Sequence, residues 1–313
     1  MIANHKYLYT YACHETEREL CGMELRALLQ LKGGMPEQSV ESSVGIAPGR
    51  SPFIKQRLDI EMEADSLEEL IDKVALLDPL KETFKVVCLK TAQGPDYKEQ
   101  RRMERQIGAE IRGTPSMKQP DLRFGTAWSC GRWVFGRLHE AEAAWLKHQN
   151  KPRAYSTALS TRVARAAVNI AVPVTEGARA VDPCCGIGTV LLEAISMGIE
   201  IEGFDKNPLA VAGARENLLH FGYADIAAIA DMRSLTKHYD VAIIDFPYNL
   251  CSVLPAKELL EMLVAARRIA DRALVIFASN QPVEEQLAAA GWEAADSCAI
   301  SKGTFTRRMV RCE

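Results

Sequence analysis

The stretch VDPCCGIGT at residues 181–189 follows a short apolar run and leads into a helical pattern, and it decides the fold class. Its two glycines, Gly186 and Gly188, allow the backbone to approach a ligand where a side chain would block it. The stretch lacks the third glycine of G-x-G-x-x-G and the lysine of a P-loop, which weakens both phosphate-binding interpretations. An ordinary tight turn is the alternative. The context favours a ligand-binding turn at the carboxyl edge of a parallel sheet.

From about Tyr155 onwards, short apolar runs alternate with amphipathic segments, which is typical of a doubly wound α/β domain. Two further apolar runs predict an antiparallel C-terminal hairpin. The predicted strands are 178–182, 200–204, 226–230, 241–245 and 273–278, the hairpin strands lie near 293–300 and 304–312, and the helices are about 189–197, 207–220, 256–270 and 283–290.

Acidic residues stand at the ends of the first three of these strands. Asp182 would carry its charge toward a cationic amino or sulfonium group, with a turn-stabilising contact as the alternative. Asp205 would accept both hydroxyls of a ribose. Asp231 would accept an adenine amine while the N–H of Met232 serves a ring nitrogen. An acidic residue at one strand end is more often a solvated loop residue or a helix cap. Here all three follow strands that are predicted to end at the same sheet edge as the glycine loop, which favours a common ligand.

The fourth strand runs directly into DFPYN at residues 245–249, so this segment is predicted at the same edge as the glycine loop. A planar exocyclic amine is a poor nucleophile because its lone pair is delocalised. Acceptors from Asp245 and the Phe246 carbonyl can hold its N–H groups in a reactive geometry. Pro247 would fix the bend, and Tyr248 would stack on the base. A strand that simply ends in Pro-Tyr with a packed aromatic is the alternative.

The first half of the chain reads as a mixed α+β region that ends near residue 145. Ser66, followed by Glu69 three residues on, predicts a capped helix. The remaining predictions are strands at 6–11, around Leu58–Met62, at Phe84–Leu89, at Leu122–Trp128 and at Trp133–Leu138, and helices at His14–Leu31 and 98–113.

Bulk properties narrow the class of protein. The 313 residues are about twice the usual length of one domain, so two domains are the starting expectation. The net charge of -3 means that a nucleic-acid partner would need a local basic surface. Nine cysteines without a C-x-x-C pair, and no leader or membrane segment, predict a cytoplasmic protein with neither disulfides nor zinc. The motifs H-E-x-x-H and G-x-S-x-G are absent, which argues against metal hydrolysis and an α/β-hydrolase.

Taken together, DPCCGIGT, Asp205, Asp231 and DFPYN resemble class I methyltransferases that modify exocyclic amines of nucleic-acid bases. The lead-in YSTALSTRVARAAVNIA resembles the THUMP-containing tRNA guanine-N2 methyltransferases. In the first half, TFKVVCLK, RQIGAEIRG and WVFGRL are similar to segments of that family's N-terminal region. The resemblance implies a Rossmann-like methyltransferase domain with an antiparallel C-terminal hairpin, preceded by an α+β ferredoxin-like/THUMP region. The implied boundaries are 1–50 for a ferredoxin-like segment, 51–148 for a THUMP-like RNA-binding domain and 149–313 for the methyltransferase domain.

The resemblance implies an enzyme that uses S-adenosylmethionine, without a metal, to methylate N2 of a guanosine in tRNA. It further implies that the target base is flipped or locally unpaired. The chain departs from the family's usual D-P-P-Y at Phe246 and from its usual loop at Cys184 and Cys185, which we interpret as apolar loop packing. The implied catalytic residues are Asp245, Phe246, Pro247 and Tyr248, and the implied cofactor-binding residues are Asp182, Gly186, Gly188, Thr189, Asp205, Asp231 and Met232.

Other functions stay open at this point. Because D-x-P-Y serves either amine, adenine-N6 methylation of RNA or DNA is the nearest alternative. Protein-glutamine methylation is a further alternative, but that activity would give no evident role to the first half of the chain. A non-catalytic RNA-binding protein with a vestigial cofactor site is the alternative from another class, and failure to bind S-adenosylmethionine would favour it.

Overall fold

The chain is divided between two compact units in a computed structural model. The first unit comprises Met1–Ala12 with Leu29–Glu142, and the second comprises Cys13–Leu28 with Ala143–Glu313. The structure describes residues 5–34, 37–155, 158–246, 255–278, 283–302 and 305–313.

Strands and helices follow one another along both units. The strands are β1 (Lys6–Tyr11), β2 (Ser39–Ser42), β3 (Ile54–Ala64), β4 (Thr83–Cys88), β5 (Thr114–Pro115), β6 (Leu122–Ser129), β7 (Arg132–Glu140), β8 (Arg179–Asp182), β9 (Glu200–Asp205), β10 (Ala227–Ile229), β11 (Tyr239–Asp245), β12 (Ala270–Ala278), β13 (Ala294–Lys302) and β14 (Phe305–Cys312). The helices are α1 (Arg18–Leu29), α2 (Leu67–Ala75), α3 (Tyr97–Glu110), α4 (Thr161–Ala171), α5 (Thr189–Ser196), α6 (Pro208–His220), α7 (Ala256–Ile269) and α8 (Val283–Ala289).

The first unit is built on a seven-stranded sheet in the order β2-β1-β3-β7-β6-β4-β5. Only the β4–β6 and β4–β5 pairs are parallel. Helix α2 begins where predicted, because the Ser66 hydroxyl accepts the Glu69 N–H at 3.1 Å. Leu70 and Val74 of α2 and Ile107 of α3 then pack into one apolar core with the aromatic residues of the sheet. Helical spacing of these residues is what buries one face of each helix.

The second unit is built on another seven-stranded sheet, in the order β10-β9-β8-β11-β12-β14-β13. The first five strands are parallel, and β14 and β13 close the sheet as an antiparallel hairpin. Strand order reverses between β8 and β11, which are neighbours although β9 and β10 lie between them in sequence. A crevice for ligands opens at the carboxyl ends of the strands at such a reversal. The glycine loop follows β8, and Asp245 ends β11.

Helix α1 belongs to the second unit for nearly its whole length, although it lies near the start of the sequence. The Asn169 side chain of α4 donates to Glu24 Oε1 of α1 at 2.6 Å, and both residues are fully buried. Two residues further along α1, Arg26 forms two hydrogen bonds of 2.9 Å with the Asp296 carboxylate of β13. The methyltransferase-like half therefore includes a segment that precedes it in sequence.

The predicted α/β fold with its C-terminal hairpin is confirmed, and the predicted strands and helices of the second half match the observed ones within a few residues. The domain division differs from the predicted one. β1 and β2 join β3 in one sheet, so residues 1–50 do not form a unit apart from 51–142, and residues 13–28 pack elsewhere. Pairing between strands far apart in sequence leaves no periodic signal, which is why the sequence did not reveal it. The THUMP character of the first unit stays a prediction.

Candidate active site

The glycine loop between β8 and α5 is held open by two left-handed residues. Gly186 has φ of 52° and Gly188 has φ of 76°, a region that side-chain-bearing residues rarely adopt. The Gly186 N–H donates to Asp205 Oδ2 at 2.9 Å, which ties the loop to the end of β9. A Cβ on Gly186 would stand 3.7 Å from the Tyr155 hydroxyl, and both residues line the crevice. Because that distance is an ordinary contact, it is the positive φ of Gly186 that disfavours a side chain at this position.

A cavity of about 330 Å³ lies beside this loop, and we call it the donor cavity. Its size falls within the roughly 300–1,000 Å³ of small-molecule sites. The loop, β9, the turn after β10, the end of β11 and helix α7 all contribute to its wall. The predicted site residues found in that wall are Gly186, Asp205, Asp231, Met232, Asp245 and Phe246.

Three predicted cofactor residues, Asp182, Gly188 and Thr189, are not among the described residues of the cavity wall. Asp182 is buried, and its carboxylate accepts the Cys184 N–H at 3.1 Å, which is the turn-stabilising alternative. Burial, and then the charges of Asp245 and Asp205, raise the pKa of Asp182 well above its usual range. Its observed contact shapes the loop, and Gly188 and Thr189 begin α5 behind it.

Asp205 stands at the junction of the loop and helix α6. Its two carboxylate oxygens accept the N–H groups of Gly186 at 2.9 Å and of Asn207 at 2.8 Å. Each carboxylate oxygen has a second lone pair, so acceptor capacity toward ribose hydroxyls is retained. Asp205 thus combines a structural contact with a position in the cavity wall.

Asp231 is engaged by a neighbour in the same turn. Arg233 donates to its two carboxylate oxygens at 2.6 and 3.0 Å, and these contacts lower the pKa of Asp231 to about 2. Asp231 also begins a short 3-10 turn at Met232, whose side chain is buried. An adenine amine at this carboxylate would share it with Arg233.

Asp245 is the last residue of β11, and one of its two carboxylate oxygens differs from those of the other site aspartates. Its Oδ1 is inaccessible to solvent and has no hydrogen-bond partner among the residues that the structure describes. Burial raises the pKa of Asp245 to about 7, against the opposing charge of Arg307. A buried, unsatisfied carboxylate oxygen beside a cavity is costly unless a ligand donates to it.

Phe246, the next residue, is almost fully buried in the core of the sheet, and its N–H donates to the Ile276 carbonyl at 3.0 Å. Because the side chain is committed to packing, the aromatic ring at this position is compatible with a role through the backbone carbonyl. The predicted catalytic residues Pro247 and Tyr248 lie outside the described residues.

Several wall residues were not predicted from the sequence. Tyr155, Asn207 and Glu258 line the donor cavity, and Glu258 faces Lys206 at 3.8 Å. Asn207 could have been found, because Asp205-Lys-Asn-Pro has the pattern of a strand end followed by a helix cap and a proline. Glu258 comes from α7 and reaches the wall only through tertiary packing.

The paired cysteines of the loop pack as expected for apolar residues. Burial raises the pKa of the Cys184 and Cys185 thiols, and the nearby Asp182 adds to the effect. Protonated thiols are poor nucleophiles and poor metal ligands. Among the described residues there is no group of three or more His, Cys, Asp or Glu side chains that could hold a metal ion.

Comparisons with known proteins show the family and the fold of this chain. Residues 148–306, about half of the chain, match the family UPF0020, described as RMKL-like, methyltransferase domain. A tRNA (guanine(10)-N2)-dimethyltransferase of Methanothermobacter thermautotrophicus is 28% identical over 74% of this chain and 75% of its own length. The enzyme of the same name from Pyrococcus abyssi is 28% identical over 76% and 77%. The crystal structure of TrmN from Thermus thermophilus superposes with a TM-score of 0.50 at 19% identity, over 99% of both chains, and thus shares the fold.

Proposed function

We propose that this chain, which belongs to the RMKL-like methyltransferase-domain family UPF0020, transfers a methyl group from S-adenosylmethionine to N2 of a guanosine in tRNA. The observation that carries the proposal is the buried Asp245 Oδ1, which has no partner among the described residues and lies at the donor cavity. The names of the archaeal relatives support guanine and tRNA as the acceptor.

The donor cavity suits S-adenosylmethionine in size and in the placement of its polar groups. Gly186 and Asp205 line this cavity, which supports Gly186 as the point where the cofactor passes the loop and Asp205 as the acceptor of hydrogen bonds from its ribose. Asp231 and the Met232 N–H would serve its adenine, and Asp182, Gly188 and Thr189 would hold the loop from behind. When bound, the cofactor supplies a methyl group on a positively charged sulfur, which keeps the electron pair of the broken bond.

The chain's own contribution centres on the acceptor amine. The Asp245 carboxylate accepts one N–H of the guanine N2, and the Phe246 carbonyl accepts the other, which turns the nitrogen lone pair toward the methyl group. As N2 gains the methyl group it loses one proton, and Asp245 is placed to accept it. We assign the bend to Pro247 and base stacking to Tyr248, as predicted from the sequence.

The substrate must reach the edge of a sheet, so a base inside a paired stem has to be flipped or locally unpaired.

No described helix is long and apolar enough to cross a membrane. We place the reaction in the cytoplasm, and the described cysteines, all of which are free, support a reducing compartment.

The first test compares modified nucleosides in tRNA incubated with S-adenosylmethionine, with and without the protein. We expect N2-methylguanosine or N2,N2-dimethylguanosine to appear, and mass mapping then locates it. N6-methyladenosine instead would replace this proposal with the adenine alternative. Absence of cofactor binding by calorimetry would favour the non-catalytic RNA-binding protein.

Replacing Asp245 tests its role directly. Asp245→Asn should lower kcat for tRNA methylation by about 10²–10⁴-fold, because the amide can neither take a proton nor offer two equivalent acceptors. Its S-adenosylmethionine affinity should stay within about twofold of wild type, since the proposal assigns cofactor binding to Gly186, Asp205 and Asp231. Asp240→Asn, at the exposed start of the same strand, is the matched control and should retain activity. Full activity of the Asp245 variant would disprove the assignment.

A further inference from the structure

A second cavity of about 360 Å³ lies in the methyltransferase unit, and we call it the acceptor cavity. It is bounded by the turn before α1, the beginning of α4 and the C-terminal hairpin. The volume suits a small planar ligand rather than a single water molecule. Its polar wall residues are His14, Thr16, Glu17, Ser160, Ser301 and Arg307.

Arg307 of the acceptor-cavity wall and Asp245 of the donor-cavity wall belong to the same sheet. Across neighbouring strands, Met309 of β14 pairs with Ile276 of β12, and Ile276 pairs with Asp245 of β11. Arg307 lies two residues from Met309, so its side chain leaves the same face of the sheet as the Asp245 side chain. Arg307 is only 7% exposed and lines the acceptor cavity, whereas Asp245 lines the donor cavity. Each cavity therefore has one of these two charged groups in its wall, and both groups lie on one face of the sheet.

Arg307 and Asp245 each shift the pKa of the other. The Arg307 guanidinium holds down the pKa of Asp245, which burial raises to about 7. In return, Asp245 opposes the lowering of the Arg307 pKa by burial. The other titratable groups that interact with Asp245 are Asp182 and Cys184, neither of which is a cation. Among the residues that the structure describes, Arg307 is the cation whose charge lowers the pKa of Asp245.

We propose that the acceptor cavity receives the guanine base of the methylation reaction, with Arg307 orienting both the base and the Asp245 carboxylate. This inference rests on the proposed function. A guanine that presents N2 to Asp245 carries acceptors at O6 and N7, and the arginine fork matches acceptors of this kind. Adenine in the same orientation would place a C–H at Asp245 and an amine donor toward the guanidinium. Arg307 therefore selects guanine as well as positioning it.

The test compares three substitutions in one strand. Arg307→Gln removes the charge, Arg307→Lys keeps it without the fork, and Arg308→Gln is the matched control on the opposite face, where Arg308 pairs with Glu284. We measure tRNA methylation as kcat and KM across pH 5–9, and S-adenosylmethionine binding by calorimetry. A carbon-13 NMR titration of Asp245, assigned with Asp245→Asn, follows the carboxyl without any substrate.

For Arg307→Gln we expect kcat/KM to fall about 10²-fold, because a misplaced acceptor loses most of its reactive geometry. The midpoints of the pH–rate profile and of the NMR titration should both move upward from about 7. Arg307→Lys should restore the midpoints but recover only part of kcat/KM. Cofactor affinity should stay within about twofold in all variants, and Arg308→Gln should behave as wild type. Unchanged methylation and unchanged midpoints in Arg307→Gln would overturn the proposal.

A second pair of variants tests the cavity rather than the charge. Ser301→Phe fills the acceptor cavity from β13 and should abolish methylation while leaving cofactor binding and the Asp245 titration intact. Ser297→Phe, on the same strand but outside the cavity wall, should remain active. A fully active Ser301→Phe would show that the base enters elsewhere.

The experiments distinguish a failure of this inference from a failure of the proposed guanine-N2 methylation. If wild type methylates adenine N6 instead, the guanine assignment fails, yet Arg307→Gln and Ser301→Phe still report whether the acceptor cavity is used. If wild type methylates no RNA, the NMR titration still decides whether Arg307 controls Asp245, and the base-binding part of the inference falls with the function.

Discussion

Three aspartates at neighbouring strand ends have three different environments. Asp182 is buried and bonded to the Cys184 N–H, Asp231 is held by Arg233, and Asp245 keeps a buried oxygen with no partner among the described residues. Burial raises the pKa of the first and last, whereas an adjacent cation lowers that of Asp231. A general base works best with a pKa near the working pH, and Asp245 meets that condition.

The raised pKa of Asp245 predicts how methylation depends on pH. Only the ionised carboxyl can take up the proton that N2 loses, so kcat/KM should rise as pH increases through about 7 and then level off. Below this midpoint, activity should fall about tenfold per pH unit as the carboxyl becomes protonated. Initial rates of tRNA methylation between pH 5 and 9 test this.

The residual activity of Asp245→Asn provides the control. In this variant kcat/KM should not rise as the pH increases through about 7, because the titrating carboxyl is gone. Asp182, Cys184 and Arg307 also interact with Asp245, and burial raises the pKa of the Asp182 carboxyl as well, so the loss of this rise in Asp245→Asn is what assigns it to Asp245. A flat wild-type profile down to pH 5 would mean that Asp245 is not the titrating group.

At the scale of elements, the junction of β8 and α5 depends on close packing against α6. Gly188 is left-handed, and a Cβ there would lie 3.2 Å from the Ala214 Cβ. Helix α5 begins at the next residue, so the loop, the helix and its neighbour share this point of contact. The glycine that the sequence suggested for ligand approach is needed here for packing.

Gly188→Ala should therefore destabilise the second unit by about 2–4 kcal/mol, as the sum of left-handed strain and overpacking. Gly177→Ala separates the two effects, because Gly177 is also left-handed but has nothing within 4 Å of an added Cβ. Its cost should be about 1–2 kcal/mol. Urea unfolding followed by circular dichroism measures both. Equal losses in the two variants would show that contact with Ala214 does not matter.

Element positions could be read from the sequence wherever the signal was local. A short apolar run placed β11, a helical pattern placed α6, and the Ser66 cap placed the start of α2. Strand β2 and the two-residue β5 were missed, because they are short and depend on pairing with strands elsewhere. The predicted helix 14–31 proved to be a 3-10 turn followed by the shorter α1.

For the whole molecule, the notable feature is that the methyltransferase unit is discontinuous in sequence. Residues 13–28 supply α1, and its Glu24 is buried against Asn169 of α4. Burying a carboxylate is unfavourable unless its hydrogen bonds are made, so this pair specifies how α1 docks. The wall of the acceptor cavity includes the turn that leads into α1.

Glu24→Ala should therefore destabilise the methyltransferase unit by about 1–3 kcal/mol, because the buried hydrogen bond between Asn169 and Glu24 is lost. Limited proteolysis with mass spectrometry should show new cleavage within residues 143–313 before any within 29–142. Glu15→Ala, at an exposed position in the preceding turn, is the control and should stay within about 0.5 kcal/mol of wild type. Earlier cleavage in the first unit would contradict this assignment.

The sequence by itself determined the order of strands and helices and the sheet edge at which Asp182, Asp205, Asp231 and Asp245 lie, because periodicity and turn composition act over a few residues. Methyl transfer was indicated by the resemblance of the motifs to a known family. Tertiary structure decided which of those acids line the cavity, what raises the pKa of Asp245, and which unit contains α1. Burial and charge at one atom are set by residues such as Arg307 that approach it only after folding, and no local pattern records their approach.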